Sequence, residues 1–159
     1  MKRMKTILVV AVIALVSITL QSCSSNDDGL QDPETYIRFT VNGTDYNFTD
    51  IITAESLIIS LNGNNGEGFS NAGDTGIAVT LPLEISNGTY DVIPGFLGEY
   101  QVSFTSEALA FHSDHASSGT ITVTQSTGGF IVGTFFAKIT NSAGTEIAIT
   151  KGAFKARKA

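Results

Sequence analysis

Gly119-Thr120-Ile121-Thr122-Val123-Thr124, the pair Gly128-Gly129, Phe130-Ile131-Val132-Gly133-Thr134-Phe135-Phe136-Ala137, and Glu146-Ile147-Ala148-Ile149-Thr150 together decide the fold. In the first segment Ile121 and Val123 alternate with Thr120, Thr122 and Thr124. An extended chain sends successive side chains to opposite faces, so this spacing builds one apolar and one polar face. Ile147 and Ile149 alternate in the same way with Glu146, Ala148 and Thr150. Gly128-Gly129 and the run from Asn141 to Gly144 are turn formers between these segments. The three segments therefore predict an antiparallel meander. The middle one, Phe130 to Ala137, is apolar on both faces, so it is expected to lie centrally with both sides covered.

Period two recurs upstream. Ile37, Phe39 and Val41 alternate with Tyr36, Arg38 and Thr40. Leu57, Ile59 and Leu61 alternate with Ser56 and Ser60, although Ile58 interrupts the polar face. Ile77, Val79, Leu81 and Leu83 alternate with Ala78, Thr80, Pro82 and Glu84; Pro82 cannot donate to a ladder and marks an edge or bulge. Tyr100, Val102 and Phe104 alternate with Gln101, Ser103 and Thr105. Asn42-Gly43 reads as a tight hairpin, and Asn87-Gly88 precedes a short strand from Thr89 to Ile93. No 11-residue window carries a helical stripe. A polar second face is the mark of antiparallel sheets wetted on one side. Residues 35–159 are expected to form a single all-β domain, an antiparallel β-sandwich or open barrel of about eight to ten strands.

The N-terminus is of another kind. Met1-Lys2-Arg3-Met4-Lys5 is basic, and an apolar run from Ile7 to Leu20 follows, broken only by Ser17 and Thr19. The run is short for a membrane span, which takes about 20 apolar residues, and has the layout of a secretory signal over residues 1–22. It ends in Leu20-Gln21-Ser22-Cys23. This resembles the lipobox of bacterial lipoproteins, with Gln21 departing from the usual small or aliphatic residue. The resemblance implies cleavage before Cys23 and acylation of its thiol and freed amine. Cys23 is the single cysteine, so no internal disulfide is available. Two or more acyl chains give stable membrane attachment, each buried CH₂ adding about 0.8 kcal/mol.

Residues 23–34 comprise the lipidated cysteine and a polar, acidic stretch that reads as a flexible tether. Asn26-Asp27-Asp28 also resembles the surface-export signal of Bacteroidota lipoproteins. Removing residues 1–22 takes away Lys2, Arg3 and Lys5 and no acid: nine basic residues less three leaves six, against fifteen acids, a net charge of −9. That balance argues against nucleic acid or anionic lipid headgroups as partners. Lys151, Lys155, Arg157 and Lys158 crowd the C-terminus and read as a solvated fringe.

Phe39-Thr40-Val41-Asn42-Gly43, Asn87-Gly88-Thr89-Tyr90, Gly119-Thr120-Ile121-Thr122-Val123, Val132-Gly133-Thr134-Phe135 and Ile149-Thr150-Lys151-Gly152-Ala153-Phe154 together resemble small, uncharacterised lipoproteins of Bacteroidota with a β-rich domain of unknown function. The resemblance implies a cell-envelope β protein; the expected location is the outer membrane, on either its periplasmic or its outer face. It carries no functional residue across.

Candidate sites are sparse. Glu107 and His112-Ser113-Asp114-His115 form the densest polar group, and two imidazoles with a carboxylate are ligand types for zinc or copper. On a strand His112 and His115 would face opposite ways, so convergence needs a turn, and Ala116-Ser117-Ser118-Gly119 favours a loop. Asn62 to Asp74 is rich in Gly and Asn, and the carboxylates of Glu67 and Asp74 with loop carbonyls could hold calcium; a long mobile loop explains the same residues. It is also the first place to seek a partner contact. Tyr36, on the predicted outer face of its strand, is the best-placed aromatic for stacking a sugar in a chain without Trp. There is no Gly-x-Ser-x-Gly elbow, no cofactor motif, and no nominated pair of carboxylates. The expected role is a membrane-anchored, non-enzymatic binding or scaffold module for an envelope protein or glycan. The alternatives are a surface hydrolase acting on glycan or peptide, and an accessory subunit of an uptake or adhesion complex.

Overall fold

The computed structural model describes residues 34–95 and 99–158. The expected leader, Cys23 and the expected tether through Pro33 lie outside the described residues. The chain forms β1 (Tyr36–Val41), β2 (Thr44–Phe48), β3 (Ile52–Glu55), β4 (Ile58–Asn64), β5 (Thr75–Pro82), β6 (Gly88–Asp91), β7 (Gln101–Ser106), β8 (Phe111–Gln125), β9 (Phe130–Thr140) and β10 (Glu146–Arg157). Among the described residues one 3₁₀ turn, Glu107–Leu109, precedes β8. The strands pair in the order β2-β1-β10-β9-β8-β7-β5-β4-β3, with β6 on β8. The expected all-β domain of about eight to ten strands is seen, with ten among the described residues, and so is the closing meander β8-β9-β10.

Chain connectivity forces the sheet to curl. Laid flat, the nine strands of the main ladder, spaced by about 4.8 Å, would hold β2 and β3 about 38 Å apart. Yet the chain passes from Phe48 to Ile52 in four steps, at most about 14 Å. The two edges must therefore face each other, and the result is an open barrel. Thr53 Oγ1 reaches across the seam and donates to the Arg157 carbonyl at 2.7 Å. The β1-β2 turn has the expected chemistry: Asn42 and Gly43 both take positive φ, 50° and 80°, as a type I′ turn requires.

Alternation fills the interior. Ile37, Phe39, Leu61, Ile77, Val79, Val102, Phe104, Ile121 and Ile149 point inward and are buried. Phe39 stacks on Tyr46, with ring centroids 5.0 Å apart, and meets Phe104 edge-on at 6.0 Å. Gly133 leaves room where a Cβ would lie 2.2 Å from the Thr122 carbonyl oxygen and 2.5 Å from the Phe154 ring. Pro82 closes β5 opposite Ile58, beyond the last β7 pairing at Thr80, so no second ladder needs its missing N–H.

Four expectations are corrected. Leu57 does not face the core; it stands 88 % exposed in a turn that the Ser56 N–H closes onto the Ile58 carbonyl. Leu83 lies past the end of β5 and is exposed. β9 is central but covered on one side only: Thr134, Phe136 and Lys138 face outward and are exposed, because a barrel shields only its inner face. His112 to Gly119 is strand, not loop: β8 runs through it, paired with β7 and β9, and bulges absorb the irregular residues.

β8 also joins the two halves of the barrel. Its first residues pair with β7 (Ser103 opposite His115) and its later ones with β6 (Tyr90 opposite Ile121), while β9 takes the other edge. Gln101, expected on a polar face, is 2 % exposed and fills the break between β7 and β6. Its Nε2 donates to the carbonyls of Ile93 and Gly95 at 2.6 and 3.1 Å. Its Oε1 accepts from the N–H groups of Val102 and Ala116 at 2.7 and 3.1 Å.

The antiparallel order sorts the turns into two ends. The proximal end holds Glu34 and Thr35, where the described chain begins, with the Ser56-Leu57 turn, Leu83 to Asn87, Ser126 to Gly129, and Arg157. Arg157 is ion-paired to Glu34, and Asn87 bonds the Thr124 carbonyl there. The distal end holds the Asn42-Gly43 turn, residues 65–74, the 3₁₀ turn and Asn141 to Gly144; the Glu107 N–H bonds the Asp74 carbonyl, and the Asn141 amide bonds that of Ala110. Among the described residues no helix is long and apolar enough to cross a membrane.

Candidate binding cleft

Pairing brings the polar positions of four strands into two rows near the distal end. Asn62 lies opposite Ala78, Ala78 opposite Ser103, and Ser103 opposite His115. In the next row Asn64 lies opposite Gly76 and Gly76 opposite Thr105, whose hydroxyl is 3.2 Å from that of Ser113. Each alternates with a core residue, so the rows lie on the barrel's outer surface. The small side chains of Gly76, Ala78 and Ser103 leave the floor low. Residues 65–74 rise beside it and place Phe69, 63 % exposed, and Ala72 as a wall. The result is a cleft of about 210 Å³ whose lining includes amides, hydroxyls and an aromatic ring but no ionisable side chain.

The loop forming that wall is held by its own bonds. At its neck the Asn65 N–H donates to the Thr75 carbonyl at 3.0 Å, while Asn65 Oδ1 accepts from the Thr75 N–H at 3.0 Å. The Glu67 N–H donates to the Asn71 carbonyl at 2.6 Å, and Asn64 Oδ1 accepts from the Gly66 N–H. Asp74 accepts from the Asn65 amide and the Thr75 hydroxyl. Those two hydrogen bonds, Asn65's foremost, hold its carboxyl below the ordinary aspartate value. Asp74 thus ties the loop neck, and Glu67 stands exposed on the loop. Among the described residues no three His, Cys, Asp or Glu side chains converge as metal ligands, so His112, Asp114 and His115 do not form such a set.

His112, Asp114 and His115 all lie on the first part of β8. Asp114 Oδ2 accepts from the backbone N–H of His112 at 2.8 Å, and Ser113 takes a positive φ of 58° at the bulge between them. Glu107 sits exposed in the 3₁₀ turn. Tyr36 is not the open platform expected: it is 8 % exposed, and the Arg38 guanidinium lies over its ring at 4.6 Å. A neighbour two residues along the same strand face covers it.

A second recess of about 400 Å³ borders β1, β2 and β10, lined by Arg38, Phe39, Thr40, Asp45, Tyr46, Asn47 and Lys151. Its carboxylate is engaged, since Thr40 Oγ1 donates to Asp45 at 2.5 Å. Elsewhere Tyr90 and Tyr100 stack at 4.2 Å; burial, then Tyr90, pushes the Tyr100 phenol up to about 12.

Asn62, Phe69, Ser103, Thr105 and Ser113 escaped sequence reasoning as a group. Alternation marks Ser103 and Thr105 as outward-facing, but only the register between strands distant in sequence puts them together. Comparison with protein-family models, curated proteins and solved structures finds no match for this chain.

Proposed function

We propose that this is a bacterial cell-envelope lipoprotein, cut before Cys23 and held at the outer membrane by acyl chains on that residue. Its barrel acts as a binding module for a neutral, hydroxyl-rich ligand such as an envelope glycan. The observation that carries the binding role is the uncharged lining of the distal cleft in a chain whose net charge is −9 once residues 1–22 are removed. Amides and hydroxyls offer hydrogen bonds without attracting ions, and an exposed phenyl ring offers an apolar face to the C–H side of a sugar ring. The volume is smaller than the about 300–1,000 Å³ of sites for drug-sized ligands, which suits one ring of a longer chain. General acid or base chemistry needs a titratable group at the reacting atom; the lining supplies none, which favours binding over hydrolysis. The cleft also opens at the end of the barrel away from Glu34, so a tether on Glu34 leaves it clear.

Metabolic labelling with a fatty-acid probe tests the anchor: the label is expected on the native protein and lost in Cys23→Ser. Titration of the acylated protein with neutral oligosaccharides tests the cleft. Saturable binding that weakens at least tenfold in Phe69→Ala is expected. No saturable binding, or binding indifferent to Phe69, overturns the reading.

A further inference from the structure

Of the six exposed large apolar side chains among the described residues, three lie at the proximal end. Leu57 is 88 % exposed at the tip of the β3-β4 turn, Ile58 follows it at 36 %, and Leu83 is 40 % exposed just past Pro82, the residue paired with Ile58. They form one apolar tip on two adjacent strands. A tight turn needs no leucine at its apex, and water gains nothing from one there. The described chain begins at this same end, with Glu34 ion-paired to Arg157, and β3 next to Arg157 through Thr53. The eleven steps from Cys23 to Glu34 span at most about 40 Å. A lipid on Cys23 therefore tethers the barrel by this end, within about 40 Å of the bilayer.

We infer that the Leu57-Ile58-Leu83 tip is a membrane-docking surface, which dips into the interfacial region of the bilayer and orients the barrel with its cleft outward. This rests on the lipid-anchor reading. The contact is apolar rather than electrostatic: Glu34, Glu55 and Glu84 share this end with Lys155, Arg157 and Lys158, so no strong field of one sign is presented. Burying apolar surface is favourable at roughly 25 cal/mol per Å², modest for three side chains. That is enough to orient a protein already held by its lipid, where the second contact forms at high effective concentration.

The acylated protein is reconstituted in phosphatidylcholine–phosphatidylethanolamine vesicles, and Leu57→Cys is labelled with an environment-sensitive fluorophore. With Cys23 acylated, the new thiol is unique, and a substitution at so exposed a site leaves the core untouched. Lipids brominated on their acyl chains are expected to quench the Leu57→Cys label at least threefold more than the same label at Ser142→Cys, exposed in the distal Asn141–Gly144 turn. Adding Leu83→Asp is expected to halve the quenching at position 57. Equal quenching at the two positions, in protein that floats with the vesicles, overturns the docking surface and leaves the anchor standing. Protein that does not float overturns both.

Discussion

Replacing Gln101 by leucine tests the reading of the joint between β7, β8 and β6. The amide bonds four backbone groups across a break where no strand supplies them. Leucine has similar bulk and no polar atoms, so the N–H groups of Val102 and Ala116, on residues 0 % and 1 % exposed, lose the acceptor Gln101 offers. Each buried group left unsatisfied costs about 1–3 kcal/mol. Taking about 1.5 kcal/mol for each of these two donors, and allowing added apolar burial to offset the loss of the carbonyl contacts, the variant should be destabilised by about 3 kcal/mol. For a domain of this size about 4 °C of melting temperature accompanies each kcal/mol, so a fall of about 12 °C is expected. Circular dichroism melts of parent and variant in the same detergent measure it. A variant melting within about 3 °C of the parent would refute the claim that Gln101 stands in for a missing strand.

Gly133→Ala should lower stability by about 3 kcal/mol or more in the same melts, since its Cβ would meet backbone at Thr122 as well as the Phe154 ring; a neutral result would show that β8 and β9 can part without cost. Tyr100 ties stability to alkaline pH. Its folded-state phenol is raised to about 12 from an unfolded value of 10.0, so its contribution is complete below pH about 10 and is lost as the pH rises from there towards 12. Absorbance titration should show a tyrosine step at about 12 that moves down in Tyr90→Leu; the absence of any such high step would count against the stacked pair.

Strands were legible wherever one face was apolar, because burial and pleat share a period of two. The Asn42-Gly43 turn was legible because only a few residues accept two positive φ values in a row. What escaped depended on pairing between distant segments. Gln101 looked like any outward polar residue, since its burial follows from β6 and β7 sharing one edge of β8. Leu57 looked like core because its spacing matched Ile59 and Leu61, while the turn that ejects it is set by where β3 pairs. Ala116 to Gly119 looked like a loop because small polar residues favour turns, and the neighbouring strands overrode that preference. The cleft was out of reach for the same reason: its floor is assembled from four strands by register alone.

The first strand of the barrel, β1, is held between β2 and the last strand, β10. A chain emerging N-terminus first must therefore hold Ile37, Phe39 and Val41 without their final neighbour until more than a hundred further residues have appeared. Local hairpins such as β4-β5 and β8-β9 can form meanwhile, but ring closure waits for β10, a topology that slows folding. Loss of β10 would remove the strand that staples β1 to β9, and such a product should be a target for proteolysis rather than a slightly weakened barrel.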